Sequence, residues 1–111
     1  MSLDIDFREV RPVLCPACGA HVIDKDVDCA GSGGRIWYDI LEKLGYYVPY
    51  DQRTEENDWY GKDMKLTREQ TEELYRFVKE NRSAIFYGSE VAALIAQALL
   101  EGDAIVINAD W

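Results

Sequence analysis

The sequence predicts an α+β fold in which a small sheet, built from N-terminal strands and a C-terminal strand, is covered by about three helices. Three observations predict it: strand-like alternation near the N-terminus, three stretches of helical apolar spacing, and a closing β-branched run. The chain has 111 residues, 48% of them apolar, which suits one core and excludes global disorder. We therefore expect a single domain over residues 1–111.

The N-terminal region predicts a hairpin. Ile5 and Phe7 alternate with charged residues, which is the period of a half-buried strand. A second extended piece at 12–14, a tight turn at 15–19 and a short extended run at 20–23 complete the hairpin-like start. Residues 24–34 are predicted as a loop, because they combine three aspartates with the run Gly31–Gly34.

The middle of the chain predicts one helix followed by an irregular segment. Apolar residues recur at helical spacing from Ile36 to Leu44, and Gly45 suits the left-handed residue that ends a helix. Residues 46–66 mix aromatic and acidic side chains without a clear period. A structureless stretch this long is uncommon in a compact domain and is often functional.

Two further helices and a strand are predicted toward the C-terminus. Thr67 with Gln70 is a capping box for a helix that should end near residue 81. Residues 84–87 fit either a short buried strand or the first turn of the next helix. Ser89 is predicted to cap a largely apolar, central helix over 90–101, which Gly102 ends. The β-branched run 104–108 predicts a buried strand.

The charge of the chain limits its partners. Twelve Lys and Arg against 21 Asp and Glu give a formal net charge of −9. This charge disfavours nucleic acid as a partner, because affinity for it depends on Lys and Arg contacts to phosphate. A basic protein partner and mimicry of DNA both remain open, as does acidity that serves solubility alone. Without a long apolar window or a signal peptide, we expect a cytoplasmic protein with no membrane segment.

Three cysteines and the single histidine fall within 15 residues and predict a metal site. The candidate zinc ligands are Cys15, Cys18, Cys29 and His21, with Asp28 as an alternative fourth ligand. Cys-Pro-x-Cys-Gly over these residues resembles the knuckle of zinc ribbons, and this resemblance implies a zinc site. A redox C-x-x-C pair and reduced bystander thiols are the alternatives.

The loop over 24–34 carries two weaker signals. Asp24, Asp26 and Asp28 start like a calcium loop, but Cys29 and Arg35 occupy the positions that require Gly and Glu. The spacing therefore excludes an EF-hand and leaves a looser cation site open. The run Gly31–Gly34 precedes a predicted helix, where backbone N–H groups can bind a phosphate, but the P-loop lysine and the dinucleotide glycine spacing are both missing.

Seven of the 13 aromatic residues lie between positions 37 and 60 and predict a binding surface. The candidate partner-binding residues are Tyr50, Trp59 and Tyr60. The alternative is that these rings anchor the segment to the core. We expect no enzyme, because the one histidine lies in the cysteine cluster and no nucleophile–base set is evident.

The element order, together with the stretch Asn57-Asp58-Trp59-Tyr60-Gly61, resembles small proteins encoded in phages and prophages, most of them of unknown function. This resemblance implies no activity and no catalytic residue. The sequence therefore predicts a non-enzymatic binding or regulatory module that uses residues 46–64 on a protein partner. The alternative is a zinc-knuckle protein in which residues 15–29 bind a structural zinc and contact nucleic acid or protein.

Overall fold

A four-stranded antiparallel sheet and three helices make up the α+β fold, which confirms the predicted class. The computed structural model describes residues 3–14, 21–29 and 35–110, except the side chains of 12–14 and 21–24. The strands are β1 (Asp4–Leu14), β2 (His21–Asp28), β3 (Met64–Lys65) and β4 (Ala104–Asp110), and the helices are α1 (Ile36–Lys43), α2 (Arg68–Glu80) and α3 (Gly88–Glu101). The order across the sheet is β2-β1-β4-β3.

Strands β1 and β2 form the predicted hairpin, but β2 is longer than expected. The pairing runs from Asp6–Asp28 to Leu14–His21, with irregular register beyond Glu9. The prediction of a loop from residue 24 is therefore wrong as far as Asp28. Asp26 and Asp28 flank the half-buried Val27, and this period-2 alternation on a paired strand outweighs the low strand propensity of aspartate.

Strand β4 lies at the centre of the sheet, where the sequence predicts it. It pairs with β1 from Asp4–Asp110 to Val10–Ala104, and with the two residues of β3 on its other side. Three successive residues, Ile105 to Ile107, are buried, which explains why the strand does not alternate. The strand extends two residues beyond the predicted range.

All three helices contribute to one hydrophobic core on one face of the sheet. The Trp37 ring of α1 lies 5.2 Å from Phe7 of β1 and 5.8 Å from Phe77 of α2, measured between ring centroids. In α3, Val91 and Ile95 are fully buried in the same cluster. Leu100 is 82% exposed, so α3 is central along most of its length but not around its whole circumference.

The capping box of α2 is present as predicted, whereas α3 begins differently. The Thr67 hydroxyl accepts from the Gln70 N–H, and the Gln70 side chain accepts from the Thr67 N–H. Ser89 was expected to cap α3, but the cap is Tyr87, which has a left-handed backbone (φ +57°) and makes no side-chain cap hydrogen bond. Gly88 allows this entry, because a Cβ there would lie 2.4 Å from the Arg82 carbonyl oxygen.

The turn before α3 also settles the ambiguity at 84–87. Residues Arg82–Ala84 form a 3-10 turn and Ile85 is buried, so this stretch is neither a strand nor a first turn of α3. Among the described residues, no helix has both the length and the apolar character needed to cross a membrane.

Candidate functional site

The outer face of the sheet, opposite the helices, carries a group of aspartates from three neighbouring strands. Alternation in β1 buries Ile5 and Phe7 in the core and directs Asp4 and Asp6 to the other face. An open depression of about 380 Å³ on that face is lined by Asp4, Ile5, Asp6, Asp26, Asp28, Asn108 and Asp110. We call the five aspartates of this set the acidic sheet face.

The register places these carboxylates opposite one another. Asp4 lies opposite Asp110 on β4, and Asp6 lies opposite Asp28 on β2. Like charges at such positions destabilise a sheet. The pKa of Asp6 is raised above its ordinary value by burial first, while Arg8 lowers it and the charges of Asp63 and Asp28 raise it further. The fold thus holds a concentration of negative charge that does not favour its own stability.

Arg8 lies on the same face of β1 as Asp4 and Asp6 and contacts this group. Its guanidinium donates to Asp63, and its Nε lies 3.8 Å from a carboxylate oxygen of Asp6. The Asn108 amide donates to the same Asp63 carboxylate over 2.8 Å. Arg8 is thus held between two carboxylates, and the surrounding surface keeps an excess of negative charge.

The aromatic segment 46–64 joins the acidic sheet face along β4. The Gly61 N–H donates to the Ala109 carbonyl over 2.8 Å, and the Asn108 amide donates to the Gly61 carbonyl over 3.2 Å. The buried Tyr46 hydroxyl accepts from the Ala109 N–H over 2.7 Å and donates to the Lys62 carbonyl over 2.7 Å. Because β3 has only two residues, these contacts take the place of a strand partner for the end of β4.

The three predicted partner-binding residues have different environments. Tyr50 is 87% exposed and Tyr60 is 48% exposed. Trp59 is half-buried, packs against the hydrophobic core and has its ring centroid 6.3 Å from that of Tyr46. Tyr60 directly precedes Gly61, whose backbone bonds to Ala109 and Asn108 of β4, so it is the exposed predicted ring that lies nearest in the chain to these contacts. Trp59 mainly anchors the segment.

Local hydrogen bonds hold the rest of the aromatic segment. The Arg53 guanidinium donates to the Val48 carbonyl and stands 6.0 Å from the Tyr50 ring centroid. The Asn57 side chain accepts from the Thr54 N–H over 2.6 Å. The segment is therefore shaped by its own contacts although it holds little regular secondary structure.

The predicted zinc ligands are only partly within the described residues. Cys15 and Cys18 lie outside them, and so do the glycines at 31–34 of the predicted phosphate site. His21 begins β2 and Cys29 directly follows its end, so their Cα atoms are roughly 26 Å apart along the extended strand. The backbone therefore places these two predicted ligands at opposite ends of β2. Zinc binding by this region stays a prediction, but His21 and Cys29 do not converge.

Cys29 is a free, buried thiol packed in the core. Burial, followed by the charges of Asp28 and Glu90, raises the pKa of Cys29 to about 12. A thiol in these surroundings is protonated at neutral pH and is a poor nucleophile. This environment suits a structural side chain better than a redox-active one.

A second acidic group lies on the core side of the sheet. Carboxylate oxygens of Glu9, Glu101 and Asp103 lie within 4.8 Å of one another, with Glu9 fully buried on β1. Three carboxylates at this spacing offer the oxygen ligands that Ca²⁺ and Mg²⁺ prefer. Among the described residues this is the set whose geometry could hold a metal ion.

The acidic sheet face was missed by the sequence prediction, although a signal for it exists. Asp4 and Asp6 are spaced by two, as are Asp26 and Asp28, and Asn108 with Asp110 repeats the spacing on the last strand. Period-2 acids on a strand share one face. The prediction of a loop over residues 24–28 concealed the pair Asp26 and Asp28. In addition, only the order of the strands in the sheet shows that the three pairs lie side by side.

Comparison of the chain with protein-family models, with curated proteins and with solved structures yields no match. The resemblances to zinc knuckles and to phage and prophage proteins stay predictions. Function is therefore inferred from the residues and their geometry alone.

Proposed function

We propose that this protein is a non-enzymatic binding module that recognises a basic segment of a protein partner through the acidic sheet face and the adjoining aromatic segment. The observation that carries the proposal is the depression lined by five aspartates from three strands. Such a field attracts and orients a Lys- and Arg-rich partner.

The energetics of the face support a binding role. Asp6 and Asp28 lie opposite each other, and the pKa of Asp6 is raised by burial first and by the charges of Asp63 and Asp28 as well, so the folded state favours the neutral form of Asp6. A cationic partner would relieve the repulsion on binding. Tyr60 adds a half-exposed ring in the adjoining segment, and tyrosine is well suited to interfaces because its ring is large and its hydroxyl can form hydrogen bonds.

A synthetic heptapeptide with four lysines alternating with valines provides the test, with binding measured by calorimetry. We expect affinity that falls steeply between about 0.05 M and about 0.5 M salt. The variant Asp4→Asn/Asp110→Asn should bind about fivefold more weakly. The control Glu42→Gln/Glu80→Gln removes the same charge from exposed positions on α1 and α2 and should bind as the wild type does.

Tyr60→Ala tests the aromatic contribution better than a change at Trp59, whose ring packs on the core. We expect Tyr60→Ala to weaken peptide binding and Tyr50→Ala, at a fully exposed ring outside the acidic sheet face, to weaken it less. Equal binding by the wild type and the Asp4→Asn/Asp110→Asn variant, or no binding at low salt, would contradict the proposal.

We keep a zinc knuckle as a second proposal, which the Cys-Pro-x-Cys-Gly spacing at 15–19 supports. Mass spectrometry of protein purified without a His tag or chelator should find about one zinc per chain, lost in Cys15→Ser/Cys18→Ser. Because Cys29 lies at the far end of β2 from His21, we expect Cys29→Ala to retain the zinc. Metal-free wild-type protein with titratable thiols would exclude this proposal.

A further inference from the structure

A cleft lies between α1 and α2, on the helix side of the sheet. Its volume is about 350 Å³, which is within the range of small-molecule sites. The two helices run antiparallel along it. Near the start of α2, the Gln70 amide donates to the Leu44 carbonyl at the end of α1. Near the end of α2, the Phe77 ring lies 5.8 Å from Trp37 of α1. Seven side chains line the cleft: Asp39, Ile40, Lys43, Glu73, Arg76, Phe77 and Glu80.

The floor of the cleft is apolar and already in place. Ile40 is buried, and the partly buried Phe77 packs against the hydrophobic core. Contact with the buried Trp37 ring holds the Phe77 ring in position, so the floor does not need a ligand to form it. A preformed apolar floor of this kind suits the hydrocarbon part of a small ligand.

One end of the cleft is bridged by an ion pair. Lys43 Nζ of α1 lies 3.0 Å from Glu73 Oε1 of α2, so these two charges neutralise each other. The pair also joins the two helices across the cleft. This end therefore leaves little room for an extended chain to pass, which favours a short ligand over a peptide segment.

The other charges of the cleft are available to a ligand. Within the described part of the chain, the side chains of Asp39, Arg76 and Glu80 have no ion-pair or hydrogen-bond partner. Because the helices are antiparallel, Asp39 and Glu80 lie toward the Phe77 end. Arg76 lies between that end and the Lys43–Glu73 ion pair. The cleft thus offers two negative groups at one end and a positive group toward its middle, above an apolar floor.

From this arrangement we propose that the cleft between α1 and α2 binds a free α-amino acid with an apolar or aromatic side chain. The ammonium group lies between Asp39 and Glu80. The carboxylate pairs with Arg76, whose planar guanidinium matches a carboxylate in geometry. The side chain of the ligand covers Ile40 and Phe77. A simple amine meets only the two acidic groups, and a simple carboxylate meets only the guanidinium, so a zwitterion is the class that uses all the available charges.

NMR titration of isotope-labelled protein with L-phenylalanine tests the proposal, with the backbone amide shifts of α1 and α2 as the signal. Two analogues each lack one charge: phenethylamine has no carboxylate, and 3-phenylpropionate has no ammonium group. We expect L-phenylalanine to bind with a Kd of about 1 mM, as suits a ligand of this size. Each analogue should bind at least about threefold more weakly, because it loses one exposed ion pair.

Variants in the cleft assign the two charged ends of the ligand. Arg76→Gln should weaken L-phenylalanine binding about threefold without weakening phenethylamine, which has no carboxylate to lose. Asp39→Asn should weaken both ligands. The matched controls Lys79→Gln and Glu42→Gln change exposed positions on the same helices outside the cleft and should bind as the wild type does. Circular dichroism establishes that each variant is folded.

Three results would overturn the proposal. The first is the absence of amide shifts in α1 and α2 up to about 20 mM L-phenylalanine. The second is equal binding of L-phenylalanine and either analogue, which would reduce the cleft to a site for a single charge. The third is an Arg76→Gln variant that binds L-phenylalanine as the wild type does. None of these results bears on the proposed function, because the cleft shares no residue with the acidic sheet face.

Discussion

Neutralising Asp6 should stabilise this protein at neutral pH. Asp6 is half-buried, which is the main cause of its raised pKa, and the charges of Asp63 and of Asp28, opposite it on β2, raise the pKa further. Its contact with Arg8, which lowers the pKa, is long for an ion pair at 3.8 Å. The net result is a raised pKa, so the folded state favours the neutral form of this side chain. Asp6→Asn keeps the shape and removes the charge, and Arg8 keeps its contact with Asp63.

The expected gain follows from the cross-strand geometry. Like charges directly opposite each other in a sheet destabilise it by about 0.2–1 kcal/mol. For a chain of this size that corresponds to a rise in Tm of about 1–5 °C. Urea unfolding at pH 7 measures the free energy of unfolding directly, and Glu55→Gln, at an exposed position on the aromatic segment, is the matched control with an expected change within about 0.5 kcal/mol.

The pH dependence of stability provides an independent test of whether Asp6→Asn stabilises the protein. Native Asp6 holds its proton more tightly than unfolded Asp6, whose pKa is near the ordinary aspartate value of 3.8. Wild-type stability therefore falls as pH rises from that value through the raised native pKa, and Asp6→Asn lacks this loss. The advantage of the variant should be complete at neutral pH and vanish in acid. Lower stability of Asp6→Asn at pH 7, or a gain that persists below pH about 3, would refute the reasoning.

Three further predictions concern the parts of the fold that support the site. Tyr46→Phe should lower the free energy of unfolding by about 1–3 kcal/mol, because it leaves the buried Ala109 N–H of β4 unpaired. Urea titration measures this loss, and an unchanged unfolding midpoint would contradict the assigned role of the Tyr46 hydroxyl. Gly88→Ala should cost about 1–3 kcal/mol or more, since its Cβ would meet a backbone carbonyl oxygen at 2.4 Å; thermal unfolding measures the loss, and wild-type stability would show that the turn can rearrange. In a Cys15→Ser/Cys18→Ser background, Cys29 should react with a thiol reagent at pH 8 only after denaturation, because burial raises its pKa to about 12; rapid labelling of the native protein would contradict this.

Local patterns in the sequence were enough to predict most elements of the fold. The capping box at Thr67, the glycine at 102 that ends α3 and the β-branched run that forms β4 each carry their signal within a few residues. Short-range hydrogen bonding and side-chain periodicity set such elements, so they can be read before any tertiary contact is known. The start of α3 was misassigned by two residues because Gly88 acts through its close approach to Arg82, which is not a local signal.

The candidate site could not be predicted in the same way, because its residues come from three strands. Asp4 and Asp6, near the N-terminus, meet Asp26 and Asp28 through a hairpin, and meet Asp110 through pairing of the first strand with the last. Composition by itself determined the excess of negative charge, and periodicity determined most of the strands and helices. The order and register of the strands decided where that charge is concentrated, since the pairing of distant segments depends on how the whole core packs.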